Sequence, residues 1–296
     1  MIDLQFVPLS ECDRIRTLAL PMAARAALFA DLCRINALYM ITRAGSGHIG
    51  SSFSALDILS WLYLNEMRFA ENVGGPGDVF FSSKGHDVPA LYAVLIGLGR
   101  LPFDRLDTLR RLNGLPGHPD VSIFGIQANT GSLGMGISKA KGIALANRLT
   151  GREERIYVLT GDGELQEGQF WESLVSAANL RLGQLTAIID HNKIQSDTWV
   201  SHVSDLGDLD GKLRSFGWHV SRVNGHDFTQ IASALAAARA ETDRPSAIIA
   251  DTVKGRGVSF MEHTSMPAGD ALYRFHSGAP DDETYERGVN ELVARV

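Results

Sequence analysis

The residues of this chain best suited to chemistry are histidines in glycine-bearing loops and an aspartate set between two glycines. His48 sits in "RAGSGHIG", His86 in "SKGHD" and His118 in "LPGHPD". Glycine neighbours let a backbone bend so that an imidazole can stand at a cavity wall. Imidazole also titrates near neutrality, which suits moving protons on and off hydroxyl groups. A single loop histidine is more often polar surface, but several beside a metal motif turn the balance toward function. That motif is "TGDGELQEG", in which Gly161 and Gly163 flank Asp162, followed 30 positions later by Asn192 in "LTAIIDHN". A carboxylate, an amide oxygen and a main-chain carbonyl are hard oxygen ligands of the kind that Mg2+ or Ca2+ takes. With one negative charge from protein, such a site needs an anion, and a diphosphate bridging to the metal would supply it. A plainer reading has Asp162 capping a helix and Asn192 in a turn, and spacing leaves both readings open.

The elements that must position these residues alternate along the chain. β-rich runs "DVFFSS", "RIYVLTGDG", "LTAIIDHN", "WHVSRVNG" and "SAIIADTVKG" are separated by helical stretches such as "SLGMGISKAKGIALANRLTG" and "FTQIASALAAARAET". Strands joined by helical crossovers make a mostly parallel sheet flanked by helices, an α/β class. Ligands bind at the carboxyl ends of such strands, where "TGDGE", "DHNKI" and "DTVKGRG" lie. One crossover of this length brings the ends of two successive strands together, so Asp162 and Asn192 can face one cation.

Gly45, Gly47 and Gly50 also match G-x-G-x-x-G, the dinucleotide fingerprint, which needs a strand before it, a helix after it and an acidic residue about 20 positions on. The Ala- and Leu-rich run before it, "AARAALFADLCRINALYMITRA", reads as a helix, and the nearest acidic residues, Glu66 and Glu71, fall at a helix end and in a loop. The stretch is therefore expected to be a Gly/Ser loop between two helices. Residues 261–280 lose periodicity and read as a long loop, and a final helix is expected at about 281–295, opened by the acidic "PDDETY".

The chain has 296 residues, 45% of them hydrophobic and 21% charged, with a net charge of −6. It can bury a large core. No Lys/Arg run offers a track for phosphates, so nucleic acid is not an expected partner. Cys12 and Cys33 have no metal or redox spacing, the start lacks a signal-peptide pattern, and no uncharged apolar run reaches about 18 residues. A cytoplasmic protein with no membrane association is expected. The domain division expected is an N-terminal extension over 1–24, the main domain over 25–260, and a C-terminal loop and helix over 261–296 packing on that domain.

GDG followed about thirty residues later by Asn resembles the thiamine-diphosphate motif, and more narrowly the N-terminal half of transketolase as found in two-subunit enzymes. "SGHIGSSFSALDIL", "SSKGHDVPALYAVL", "LPGHPD", "NTGSLGMGISKAKGIAL", "GDGELQEGQFWE", "GWHV…VNGHDF" and "TVKGRGVSFME" follow in the family's order over about 25–290. The resemblance implies a diphosphate-binding domain of the thiamine-diphosphate fold. It implies that Asp162, Asn192 and the main-chain oxygen of Ile194 hold Mg2+, for which Ca2+ could substitute. Gly163, Glu164 and Asn192 fall in the cofactor-binding turns, His86 on the diphosphate side, and Gly131, Ser132 and Leu133 along the aminopyrimidine. Lys254 is implied as a diphosphate neighbour. His276 of "FHSG" is assigned to the mouth shared by cofactor and substrate, with His263 as its rival. His48, His118 and His276 would serve catalysis, and Glu167 would lie where the family links its two active sites, unless it is only a charge near a helix start. Lys193 stands where the family usually has Gly, and "IQSDTWVSH" departs from the common continuation. Arg110 or Arg111 precedes "PGHP" where the family has a phosphate-binding Arg, in a loop one residue shorter.

The family builds its site between a diphosphate domain and a pyrimidine domain, and these residues carry only the first. A separate subunit with the pyrimidine domain is therefore expected, in an α2β2 assembly. The activity implied is transfer of a two-carbon ketol unit from a ketose or ketose phosphate to an aldehyde. The alternatives are the α chain of a 2-oxoacid dehydrogenase, a deoxyxylulose-phosphate-type synthase, or a non-catalytic paralogue that binds cofactor or partner.

Overall fold

A computed structural model describes residues 3–69, 77–267 and 272–296. The elements in chain order are α1 (Leu9–Thr17), α2 (Met22–Ala44), α3 (Ile49–Trp61), β1 (Val79–Ser82), α4 (Val88–Gly97), α5 (Gly136–Thr150), β2 (Ile156–Gly161), α6 (Gly168–Asn179) and β3 (Leu185–His191). A two-residue hairpin of β4 (Ile194–Gln195) and β5 (Thr198–Trp199) follows. Then come α7 (Val200–Ser204), α8 (Leu209–Ser215), β6 (His219–Asn224), α9 (Phe228–Ala240), β7 (Ser246–Asp251) and α10 (Asp282–Val293).

Five strands form one parallel sheet in the order β1-β2-β3-β7-β6. Their side chains alternate between two cores, as a sheet covered on both faces requires. Phe80, Tyr157, Leu159, Ile188 and Ile248 face the larger core under α2, α3, α4 and α9, whereas Phe81, Val158, Ala187, Ile189 and Ile249 face a second core under α5, α6 and α8. The 1–24 segment, expected as an extension, packs on the first core through Val7, Cys12 and Ile15, and Asn36 in α2 holds both backbone groups of Val7. No helix among the described residues is long and apolar enough to cross a membrane.

The G-x-G-x-x-G loop joins α2 to α3, and its glycines have three separate uses. Gly45, at φ 71°, ends α2 in the left-handed region. A β-carbon on Gly47 would crowd Ile41, and one on Gly50 would lie 2.5 Å from the Tyr273 hydroxyl and 2.9 Å from Cγ of Lys254. The segment after residue 271 lies across this loop, with the Gly50 N–H donating to Phe275 O and the Gly278 N–H donating to Gly47 O, both at 2.9 Å. Glu66 ends a π-helical turn and pairs with Tyr157 and Arg239. Glu71 lies outside the described residues, as does part of the expected 261–280 loop. The final helix forms at Asp282–Val293, capped by Asp281, which accepts from the Thr284 N–H at 2.8 Å.

Candidate active site

The ends of β1, β2, β3 and β7 and the α2–α3 loop enclose a cavity of about 310 Å³. Sheet order makes this inevitable once the strands are parallel, because β3 ends between the ends of β2 and β7. At the end of β2, Asp162 is 2% exposed and caps a single 3-10 turn, Gly163–Gln166. One carboxylate oxygen accepts from the Gly163 N–H at 2.8 Å and the other from the Lys193 N–H. Asn192, 4% exposed, accepts from the Ile194 N–H at 3.1 Å. The capping and turn roles foreseen as the plain reading are thus real. They also hold the two oxygen donors at one cavity wall.

Lys193 adopts φ 69°, the left-handed region, so the turn after Asn192 keeps a glycine-like shape with a side chain on it. The Ile194 carbonyl accepts from the Lys254 ammonium at 3.0 Å. Burial, reinforced by the Asp190 charge, pushes the Asp162 carboxyl up to about 6. No group of three His, Cys, Asp or Glu poised for a metal occurs among the described residues. The oxygens present suit instead a hard cation shared with an anion.

The histidines converge. Ring centroids of His48 and His86 are 5.0 Å apart, of His48 and His276 5.2 Å, and of His86 and His276 5.9 Å. His276 arrives because the Gly50 and Gly278 contacts bracket it against the His48 loop. His118 stands at the exposed rim, its ring against Gly131. Burial, with nearby cations, lowers His48 and His276 to about 4 and His86 well below its ordinary value. Near neutral pH these rings are uncharged. The Nδ1 atom of His86 donates to the Lys84 carbonyl at 3.0 Å, leaving Nε2 to accept from the Ser51 hydroxyl at 2.9 Å. The Nδ1 atoms of His48 and His276 and the Gln195 side-chain oxygen are buried without a partner, as a polar ligand would require.

His263 does not share this cavity. It is buried, accepts from the Lys254 N–H at 3.0 Å and meets Trp199 edge-on, so its work is structural. Gly131 and Leu133 line the cavity, but Ser132 is not among its lining residues. Glu167 is not early in a helix as expected: the 3-10 turn intervenes, and Glu167 is the exposed N-cap of α6, also outside the lining. Glu164 reaches the wall, yet its carboxylate is taken up by protein donors, Ser83 and the N–H groups of Gly134 and Gly161. Arg110 donates to Ser46 at 2.9 Å beside the His48 loop, whereas Arg111 is tied back to the Arg43 carbonyl.

Sequence reasoning missed Lys84. Its ammonium is 2% exposed and pairs with Asp190 at 2.5 Å, and Asp190 also accepts from Ser54 and Thr252. The only signal was its place in "SKGHD", where a lysine reads as surface.

The family model described as "Transketolase, thiamine diphosphate binding domain" matches residues 25–274. A 6-deoxy-6-sulfo-D-fructose transketolase subunit from Clostridium sp. (strain MSTE9) is 42% identical over 237 residues, 79% of this chain and 86% of that one. One of the two subunits of an apulose-4-phosphate transketolase from Phocaeicola vulgatus is 34% identical, covering 87% of this chain and 90% of that one. The solved transketolase of Campylobacter jejuni superposes with a TM-score of 0.82 at 28% identity, over 90% of this chain and 42% of that one. This chain thus spans about two-fifths of the longer transketolases and most of the subunits.

Proposed function

The chain belongs to the transketolase family, in its thiamine-diphosphate-binding domain, and from that premise we propose that it is the cofactor- and metal-binding subunit of a two-chain ketol transferase. The reaction moves a two-carbon ketol unit from a ketose or ketose phosphate to an aldehyde. The observation that carries this reading is the gathering of His48, His86, His118 and His276 in one cavity with Asp162 and Asn192.

Thiamine diphosphate, when bound, supplies a carbon nucleophile and an electron sink, which is the part of ketol transfer that side chains cannot provide. Asp162, Asn192 and the Ile194 carbonyl would hold Mg2+, with Ca2+ able to substitute, and the partnerless polar atoms in the cavity support a fit for a polar ligand. Gly163 and the side chains of His86 and Lys254 would face the diphosphate, and Gly131, Ser132 and Leu133 the pyrimidine. Uncharged His48 and His276 would accept or relay the proton of a sugar hydroxyl, and His118 would guide the substrate at the rim. Glu167, exposed at the start of α6, would meet another chain and link the sites.

A separate pyrimidine-domain subunit is supported by relatives that are themselves named as subunits and match over most of their length. An α2β2 assembly in the cytoplasm is part of the same proposal. Names that specify a sulfonated fructose and a phosphorylated apulose support a donor ketose with an anionic substituent. The test is calorimetry of thiamine diphosphate with Mg2+, with and without the co-expressed partner, followed by a donor and acceptor screen of the pair. Absence of binding in both states would overturn the reading. In the reconstituted pair, His48→Ala is expected to keep cofactor binding and lose ketol transfer; unchanged turnover would reduce the 45–50 loop to a plain turn.

A further inference from the structure

Three separate walls of the cavity meet at one buried carboxylate. Glu164 is 3% exposed and projects from the 3-10 turn that follows Asp162. One of its oxygens accepts from the Ser83 hydroxyl and from the Gly134 N–H at 2.8 Å, and the other accepts from the Gly161 N–H at 3.1 Å. Ser83 belongs to the β1 end that carries Lys84 and His86. Gly134 belongs to the loop of Gly131 and Leu133. Gly161 immediately precedes Asp162. These walls abut without side chains between them: a β-carbon on Gly85 would lie 2.8 Å from the Gly131 nitrogen.

We propose that Glu164 is a positioning residue that fixes the His86 segment, the 131–135 loop and the Asp162 turn to one another, so that the diphosphate, pyrimidine and metal parts of the site are held as one unit. This rests on the reading of the cavity as a cofactor site. It also replaces direct cofactor contact, the role expected from the sequence, with one exerted through neighbours.

The residue type fits the task. An ionised carboxylate only accepts, and it has lone pairs enough for three converging donors. A glutamine in its place turns an NH2 group toward one of those donors, leaving a backbone N–H buried and unpaired. A residue retained only for packing would not need this, since burying a carboxylate is unfavourable unless each oxygen is engaged.

The test compares full-length Glu164→Gln and Ser83→Ala with the parent protein in two measurements, hydrogen exchange at the Gly134 and Gly161 amides and calorimetric titration with thiamine diphosphate at fixed Mg2+. Glu164→Gln is expected to accelerate exchange at one or both amides and to weaken cofactor affinity, each by ~10-fold, the effect of one unsatisfied buried donor. Ser83→Ala keeps both backbone contacts and is expected to leave amide protection and affinity at the parent level. If Glu164→Gln does not fold, Glu164→Asp, still acceptor-only but too short to span the three walls, replaces it with the same expectation. Parent-like protection and affinity in the Glu164 variant would overturn the proposal, as would Ser83→Ala causing equal damage. A parent protein that binds no thiamine diphosphate would overturn the functional reading instead, and the exchange measurement would still decide whether Glu164 ties the walls together.

Discussion

Replacing Gly50 by alanine should loosen the junction that brings His276 to His48, and the contacts around Gly50 allow the loss to be estimated. The added β-carbon would sit 2.5 Å from the Tyr273 hydroxyl, 2.8 Å from its ring carbon and 2.9 Å from Cγ of Lys254. Tyr273 is 3% exposed, and its hydroxyl donates to the Met261 carbonyl at 2.9 Å, so its ring cannot retreat without breaking that bond. Overpacking of this kind costs about 1–3 kcal/mol and a lost net hydrogen bond about 1 kcal/mol. Alanine in place of glycine in a helix returns about 0.5–1 kcal/mol, leaving a net destabilisation of about 1–3 kcal/mol. Gly142 in α5 is the internal control, because a β-carbon there meets nothing within 4 Å. Gly142→Ala should therefore stabilise by about 0.5–1 kcal/mol. Urea unfolding of the two variants beside the parent reads both signs in one experiment. A Gly50→Ala protein as stable as Gly142→Ala would refute the close packing of residues 272–278 on the loop and, with it, the account of how His276 reaches the cavity.

Further outcomes follow from the buried charges. Arg34, 1% exposed, bridges Asp31 and Asp57 at 2.8 Å each, and Arg34→Met should destabilise by about 3 kcal/mol, the low end for breaking a buried pair, since Arg295 and His226 still attend the two carboxylates. Urea titration checks this, and a loss below about 1 kcal/mol would refute it. Burial works to raise the Asp57 carboxyl, but Arg34 and His226 outweigh it and hold it at about 2. Its contribution is therefore present above the unfolded value of about 3.9 and lost as pH falls toward 2. For His48 and His276, lowered to about 4 by burial and neighbouring cations, the unfolded chain binds protons that the folded chain refuses. Stability should fall as pH drops from about 6.5 to 4, and the slope of the urea midpoint against pH should flatten in the His48→Gln/His276→Gln double variant. Asp162→Asn should abolish Mg2+-dependent binding of thiamine diphosphate in calorimetry while circular dichroism stays unchanged; retained binding would remove Asp162 from the metal set.

Much of this protein can be read along the chain, because the strands and helices announce themselves within windows of ten or twenty residues. The five strands lie where β-branched and apolar runs end in polar, glycine-bearing sequences. Parallel pairing then follows from the helical crossovers, and with it the approach of Asp162 to Asn192. The G-x-G-x-x-G could be refused as a dinucleotide site from its helical approach alone. What each glycine does instead depends on partners far away, Gly50 on Tyr273 and Lys254. The choice between His263 and His276 was invisible for the same reason, since only the crossing of residues 272–278 over the α2–α3 loop decides which imidazole enters the cavity. Lys84 reads as surface in its own segment and becomes a buried ion because Asp190, 106 positions later, stands at the adjoining strand end. Residue type and local period are properties of the chain; close approach between distant segments is a property of packing, and packing alone determined which polar groups face the ligand and which face one another.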